Sequence, residues 1–143
     1  MNDNHSSLGR QISILYRYCQ CFISKELETY NIGSGQYIFL LALHRNDGIS
    51  QEELSAYVKT DKATTAKAVK KLIESGYIYR DIDPKDKRAY KVFLTAKARS
   101  VIPVIQEAVK HWENAVRSGL TEDEKKLIEV LLHKMALNAC QTK

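Results

Sequence analysis

Ser50-Gln51-Glu52-Glu53 has the form of a capping box, in which a serine hydroxyl and a glutamate carboxylate three residues on each satisfy a backbone N–H that the helix start leaves unpaired. Ile49 before the cap and Leu54 at the fourth helical position make the matching hydrophobic staple. This predicts a short helix over Ser50 to Val58, followed by a turn through Thr60-Asp61. Asp61 suits the cap of a second, lysine-studded helix running to Ser75, because its carboxylate accepts from free N–H groups and sits at the positive end of the helix dipole. After a Gly76-Tyr77-Ile78 exit come two runs with the aromatic and β-branched content of strands, Tyr77-Ile78-Tyr79-Arg80 and Tyr90-Lys91-Val92-Phe93-Leu94. The charged segment Asp83-Pro84-Lys85-Asp86-Lys87-Arg88 joins them.

Two helices at an angle followed by a basic hairpin is the plan of a winged helix-turn-helix, a module that lays one helix in a DNA groove. At about 100° per residue, Thr65, Ala68, Val69, Leu72 and Gly76 fall on one side of the second helix, and Ala63, Lys67, Lys70 and Glu74 fall opposite. Thr64 and Lys71 flank that outer face. Small residues at the helix tip allow close approach to base edges, Thr64 can donate, accept or touch a thymine methyl, and the lysines suit phosphates or guanine. Arg88, near the tip of the hairpin, could lie in a narrow A·T-rich minor groove.

The charge distribution agrees with that face. Between Lys59 and Arg99 there are twelve Lys or Arg and five Asp or Glu, a net of +7, whereas the whole chain carries only +5. A stretch of this kind neutralises phosphates, or else it is a solvated lysine-rich surface; the alternative function is a winged-helix protein-interaction module whose basic face binds an acidic protein partner.

On either side the pattern is helical. Leu8, Ile12, Leu15, Cys19, Phe22, Ile23 and Leu27 recur at three- and four-residue steps, predicting a long amphipathic helix to about Tyr30. Ile14, Tyr18 and Cys21 form a second apolar line, so this helix must bury more than one side. Ser34 is a candidate cap for the next helix, whose Tyr37-Ile38-Phe39-Leu40-Leu41-Ala42-Leu43 reads as buried scaffold. Thr95 begins a further long helix with Val101, Ile102, Ile105, Val109, Trp112 and Val116, which Pro103 should bend. A second capping box, Thr121-Glu122-Asp123-Glu124, opens the last stripe of Leu127, Ile128, Leu131, Leu132 and Met135.

A chain of 143 residues suits one domain. No apolar run approaches the roughly 20 residues of a membrane span, and the polar start lacks the apolar centre of a signal peptide, so a cytoplasmic location and no membrane partner are expected. Cys19, Cys21 and Cys140 have no metal-ligand spacing and read as buried, reduced thiols. His5, His44, His111 and His133 are dispersed, and no nucleophile–base order or phosphate-cradling glycine loop is present. No metal, no cofactor and no catalysis are expected.

At the hairpin, Asp86-x-Arg88-x-x-x-Val92 followed by Leu94-Thr95 resembles the DxRxxxV-and-LT signature of MarR/SlyA-type transcriptional regulators, and the order of elements from about Leu8 to Ala139 is similar to that family as well. The resemblance implies a mainly α fold with a small β wing, in one domain over 1–143. Residues 8–30 and 96–140 would be dimerisation helices, and residues 33–95 the winged helix-turn-helix lobe. It implies a homodimer on palindromic double-stranded DNA, most often a repressor, with Ala63, Thr64, Lys67 and Arg88 as DNA contacts, and the neighbouring Thr60, Lys62, Lys70, Lys71 and Lys87 complete the expected contact set. Asp86 would hold the wing through a nearby arginine, Arg80 or Arg88. It also implies a small aromatic or phenolic effector, for which Tyr16, Arg17, Tyr37 and Trp112 are candidate lining residues, although core or interface packing accounts for each of them more readily. Two departures stand out. Ala98 replaces a glycine common after the Leu-Thr pair, and Leu8-Gly9-Arg10-Gln11-Ile12 is followed by Ser13 where the peroxide-sensing branch carries a reactive cysteine.

Overall fold

A helix with little polar face buries most of its surface, and Tyr37–Arg45 (α2) is such a helix: Phe39, Leu40, Ala42 and Leu43 are buried, while Ile38 is exposed. In the computed structural model, which describes residues 7–142, the helix Gln51–Val58 (α3) packs on α2, and the helix Lys62–Glu74 (α4) packs on α3. His5 and the side chain of Lys87 lie outside the described residues. Two strands follow α4, Ile78–Asp83 (β2) and Asp86–Leu94 (β3), and a two-residue strand Ile49–Ser50 (β1) precedes α3. They form one antiparallel sheet in the order β1-β3-β2, with Ile49 opposite Val92 and Ile78 opposite Leu94.

The chain divides into two compact units, one ending at Val109 and the other beginning at Lys110. The first holds the helix Leu8–Glu26 (α1), the winged lobe and the first part of the helix Ala96–Val116 (α5). Ile23 and Leu27, Phe39, Leu40 and Leu43, Leu54, Val69 and Leu72, Val92 and Leu94, and Ile105 make its core. Each such side chain contributes about 1.5–3 kcal/mol by leaving water. The second unit contains the end of α5 and the helix Glu122–Gln141 (α6), which buries none of its residues within this chain.

Most predicted boundaries hold, and the differences have local causes. The first helix stops at Glu26 rather than near Tyr30, and Glu28–Tyr30 tightens into a 3-10 turn that ends on Asn31 in the left-handed region. Ser34 does not cap α2. That position falls to Gln36, whose side chain turns back to accept from the Gly33 N–H at 2.7 Å. The strands reach further into the charged segment than the apolar pattern indicates, because Ile82 pairs with Tyr90 and Asp83 with Asp86. Pro103 lies inside the helix Ala96–Val116, as the pattern expects, and is exposed. Of the seven-residue stripe on α1, only Ile23 and Leu27 are buried, while Leu8, Ile12 and Leu15 are exposed. Cys21 and Cys140 are exposed rather than buried, and Cys19 is half-buried. The cause for Cys21 is its position two residues, about 200°, from Ile23, which turns it away from the core.

Gly48 is required where it stands. Its φ of 83° is left-handed, and a Cβ there would meet the Phe93 ring at 2.9 Å, while its N–H donates to Val92 O at 2.9 Å. Beside it, Asp47 accepts from the Leu94 N–H and from the Arg99 guanidinium, both at 2.9 Å. One carboxylate thus ties the turn after α2 to the end of β3 and to α5.

Between α3 and α4 the buried Ser55 hydroxyl donates to Thr65 Oγ1 at 2.6 Å, and Thr65 donates onward to Asp61 O at 3.0 Å. The two substitutions here are not equivalent. Thr65→Val strands the Ser55 hydroxyl in the core and should cost about 1–3 kcal/mol, whereas Ser55→Ala leaves Thr65 bonded and should cost about 0.5–1.5 kcal/mol. The double variant should be more stable than the sum of the two losses predicts, as measured by urea unfolding.

Candidate nucleic-acid interface

The two faces of α4 separate as the periodicity requires. Thr65, Ala68, Val69 and Leu72 are buried, and Ala63, Thr64, Lys67, Lys70, Lys71 and Glu74 are exposed. Gly76, placed with the buried set by the pattern, lies past the end of the helix and is exposed. Thr60 is half-buried in the turn and Lys62 is exposed, 3.9 Å from Glu52 in an ion pair so solvated that it stabilises little.

The start of α4 is tightly closed. Asp61 Oδ1 accepts from the Thr64 N–H at 2.6 Å, and Oδ2 accepts from the Thr64 hydroxyl at 2.8 Å. These bonds, the backbone one first, hold the Asp61 carboxyl below its usual pKa. Glu53 is lowered in the same way, by the Ser50 N–H and then the Ser50 hydroxyl, and both halves of that capping box are formed. In α3 and α4 alike, an ionised carboxylate fixes the first turn.

The exit of α4 is closed by backbone geometry. Gly76, at φ 81°, lets its own N–H reach Ile73 O at 3.0 Å and lets the Tyr77 N–H reach Leu72 O at 2.9 Å, the paired bonds of a Schellman motif. Neighbouring elements then grip this corner. The Thr95 hydroxyl donates to Gly76 O at 2.7 Å and accepts from the Ala98 N–H at 3.1 Å, so the threonine of the Leu-Thr pair caps α5 and holds the end of α4 at once. Ala98 is buried in this first turn of α5. Lys97 donates to Ser75 O at 2.7 Å with its ammonium 4.5 Å from the centre of the Tyr77 ring. Tyr77 is itself buried, and its hydroxyl donates to Tyr30 O at 2.5 Å. Burial first, and the nearby Tyr30 second, push its phenol pKa up. Tyr77, which the pattern reads as the first strand residue, precedes β2 and fastens the corner instead, and nothing in the local sequence marks Lys97.

The wing resolves the alternative left open for Asp86. Its Oδ1 accepts from the Arg88 N–H at 3.0 Å and lies 3.6 Å from Arg88 Nε. Arg80 is placed 5.5 Å over the Tyr90 ring instead, so it braces the wing through cation–π contact across the strands. Tyr79 and Phe93, directly opposite each other, stack with centroids 5.2 Å apart. The Arg88 side chain is 93% exposed.

The effector candidates lie on α1, α2 and α5. Tyr16 is exposed on α1 and accepts from Gln20, Arg17 donates to the Ser13 hydroxyl, Tyr37 opens α2, and Trp112 belongs to the second unit. An open cleft of about 260 Å³ lies elsewhere in the first unit, lined by Leu43, His44, Asp47, Leu94, Arg99, Ile102, Pro103 and Gln106. Among the described residues no cluster of three or more His, Cys, Asp or Glu could hold a metal, and no helix is long and apolar enough to cross a membrane.

Similarity to known proteins bears on this arrangement. A family model described as the MarR family matches residues 30–89. The uncharacterized HTH-type transcriptional regulator YybA of Bacillus subtilis is 33% identical over 138 residues, covering 96% of this chain and 89% of its own. A MarR transcriptional regulator from Methanosarcina mazei Go1 is 43% identical with a TM-score of 0.88, over 94% of this chain and 96% of its own. A putative MarR family regulator from Listeria monocytogenes, solved with a 26mer DNA, is 27% identical with a TM-score of 0.88, over 99% of this chain and 91% of its own.

The caps carry a sign for pH. Because Glu53 and Asp61 have lower pKa values folded than unfolded, their stabilisation is fully present above the unfolded value and is lost as pH falls through the folded one. Stability should therefore drop below about pH 4. The variant Glu53→Gln/Asp61→Asn keeps acceptors that do not titrate, and its urea midpoint should fall less than the wild type's between about pH 5 and about pH 3.

Proposed function

The chain belongs to the MarR family of DNA-binding transcriptional regulators, and from that premise we propose that it acts in the cytoplasm as a homodimeric repressor on palindromic operators. The observation that carries this reading is the division of α4. Four consecutive inward positions are buried, and the opposite side presents Ala63, Thr64, Lys67, Lys70 and Lys71 to solvent, with Thr60 and Lys62 at its start. The structural neighbour solved on a 26mer DNA supports placing that face against a duplex. In this reading Ala63 and Thr64 approach base edges in the major groove, the lysines neutralise phosphates, and Lys87 and Arg88 extend the contact from the wing.

Support for a dimer comes from what this chain leaves uncovered. On α1, Leu8, Ile12, Leu15, Tyr16 and Tyr18 are exposed, and on α6, Leu127, Ile128, Val130, Leu131, Leu132 and Leu137 are between 39% and 57% exposed. Apolar stripes of this length need a partner surface, and a second copy of the same helices supplies one. The two α4 helices would then sit about 34 Å apart, one turn of duplex, and each copy would read half of the palindrome.

Selection of bound duplexes from a random pool tests the proposal. A palindrome with half-sites one turn apart is expected. Lys70→Ala should weaken all duplexes about equally and lower the salt slope by roughly 1, whereas Arg88→Ala should lose A·T preference beside each half-site. A salt-sensitive complex with an acidic protein and none with duplex DNA would overturn it.

Control by a small aromatic or phenolic acid is a separate part of the proposal. The cleft beside Arg99 offers an apolar wall of Leu43, Leu94 and Ile102 next to a guanidinium, and Arg99 already ties α5 to the turn after α2 through Asp47. A ligand that competed for this arginine would favour a different setting of the lobe, as control by an effector requires. Titration with salicylate-like acids should shift the melting temperature and the operator affinity; no change in either excludes this effector class.

A further inference from the structure

Thr64 is the exposed polar residue at the tip of the reading face, and its hydroxyl is already committed. The group has one proton and two lone pairs. Its proton lies toward Asp61 Oδ2 at 2.8 Å, and the direction of that bond is fixed, because an ionised carboxylate only accepts. The other carboxylate oxygen holds the Thr64 N–H at 2.6 Å, so both ends of Asp61 are anchored on the same residue. The Asp61 carboxyl is held below its usual pKa, so the acceptor stays ionised at neutral pH.

A threonine in this state cannot donate outward. It cannot bond to a phosphate oxygen, to guanine O6 or N7, or to thymine O4, all of which are acceptors. What it offers is an oxygen with free lone pairs, made more electron-rich by a charge-assisted bond behind it. In the major groove, the hydrogen-bond donors on base edges are adenine N6–H2 and cytosine N4–H2.

We propose that Thr64 is a specificity residue that selects an amino-bearing base, adenine or cytosine, at one position of each half-site, with Asp61 as the positioning residue that keeps its hydroxyl an acceptor. The inference rests on the reading of α4 as the DNA-contacting helix. It distinguishes the two orientations of a base pair at that position, since every pair carries one amino and one keto base. It also assigns Asp61 a role beyond capping, because the carboxylate decides which way the hydrogen bond at the interface runs.

Selection from a random duplex pool, run in parallel on the wild type, Thr64→Val, Thr64→Ser and Asp61→Asn, tests this. The wild type should show one position per half-site where A or C exceeds G or T by about five- to tenfold, the discrimination expected of a single hydrogen bond. Thr64→Val, which keeps the shape and removes the oxygen, should flatten that position alone, and Thr64→Ser should restore it. Asp61→Asn retains a competent helix cap, yet its amide can donate to the Thr64 oxygen and release the hydroxyl proton outward. The preference at the same position should then move toward G or T. A merely structural role for Asp61 would lower affinity for all duplexes and leave the base preference in place. A wild-type motif in which the position sensitive to Thr64→Val holds G or T, or in which Asp61→Asn leaves the preference unchanged, overturns the inference while the function stands. If the wild type enriches no duplex at all, the proposed function fails and this inference fails with it.

Discussion

At the end of α4 the carbonyls of Leu72, Ile73, Ser75 and Gly76 all need donors, and two parts of the chain supply them, residues 76–77 and 95–97. Gly76 and Tyr77 close the helix on itself, Lys97 reaches Ser75 O, and Thr95 reaches Gly76 O. The same few ångströms therefore hold the last turn of the reading helix, the first residue before β2 and the first turn of α5. Tyr77 adds a bond to Tyr30 at the end of the first helical segment. Because these groups share one corner, the end of α4 is bonded directly to the first turn of α5.

A second junction makes the coupling stiffer. Asp47 accepts from the Leu94 N–H and from Arg99, joining the turn after α2 to the wing base and to α5 on the other side of the Leu94-Thr95 pair. The Leu-Thr pair is thus held by Asp47 through the leucine N–H, while the threonine reaches Gly76 O with its hydroxyl and Tyr77 O with its N–H. In this chain the pair has two roles: Leu94 is buried in the core, while the Thr95 hydroxyl caps one helix and fastens another.

Much of the reading module was legible because its determinants are local. Ser50 with Glu53, Thr121 with Glu124, and Asp61 act within one turn, so adjacent side chains suffice to define the helix starts. The buried and exposed sides of α4 follow from its period alone. The strand β1 was not legible, since its two residues also serve as staple and cap and only the pairing of Ile49 with Val92 makes them a strand. The exposure of Cys21 was not legible either, whereas the stripe of Leu8, Ile12 and Leu15 was legible as a surface that needs burial, though a stripe does not record whether this chain or another supplies it.

The basic hairpin and the lysine-studded helix behind a capping box determined from the sequence alone that this is a winged helix-turn-helix with its positive charge gathered on one segment. They did so because helix caps, side-chain period and net charge depend on neighbours close in the chain. Tertiary structure alone decided the partners: Arg88 rather than Arg80 on Asp86, Asp47 as the tie between turn, wing and α5, and Lys97 over Tyr77. It also decided the direction of the Thr64 hydroxyl, which the sequence left free to donate or accept. A hydrogen bond depends on distance and orientation, and no spacing along the chain contains those until the fold has brought donor and acceptor together.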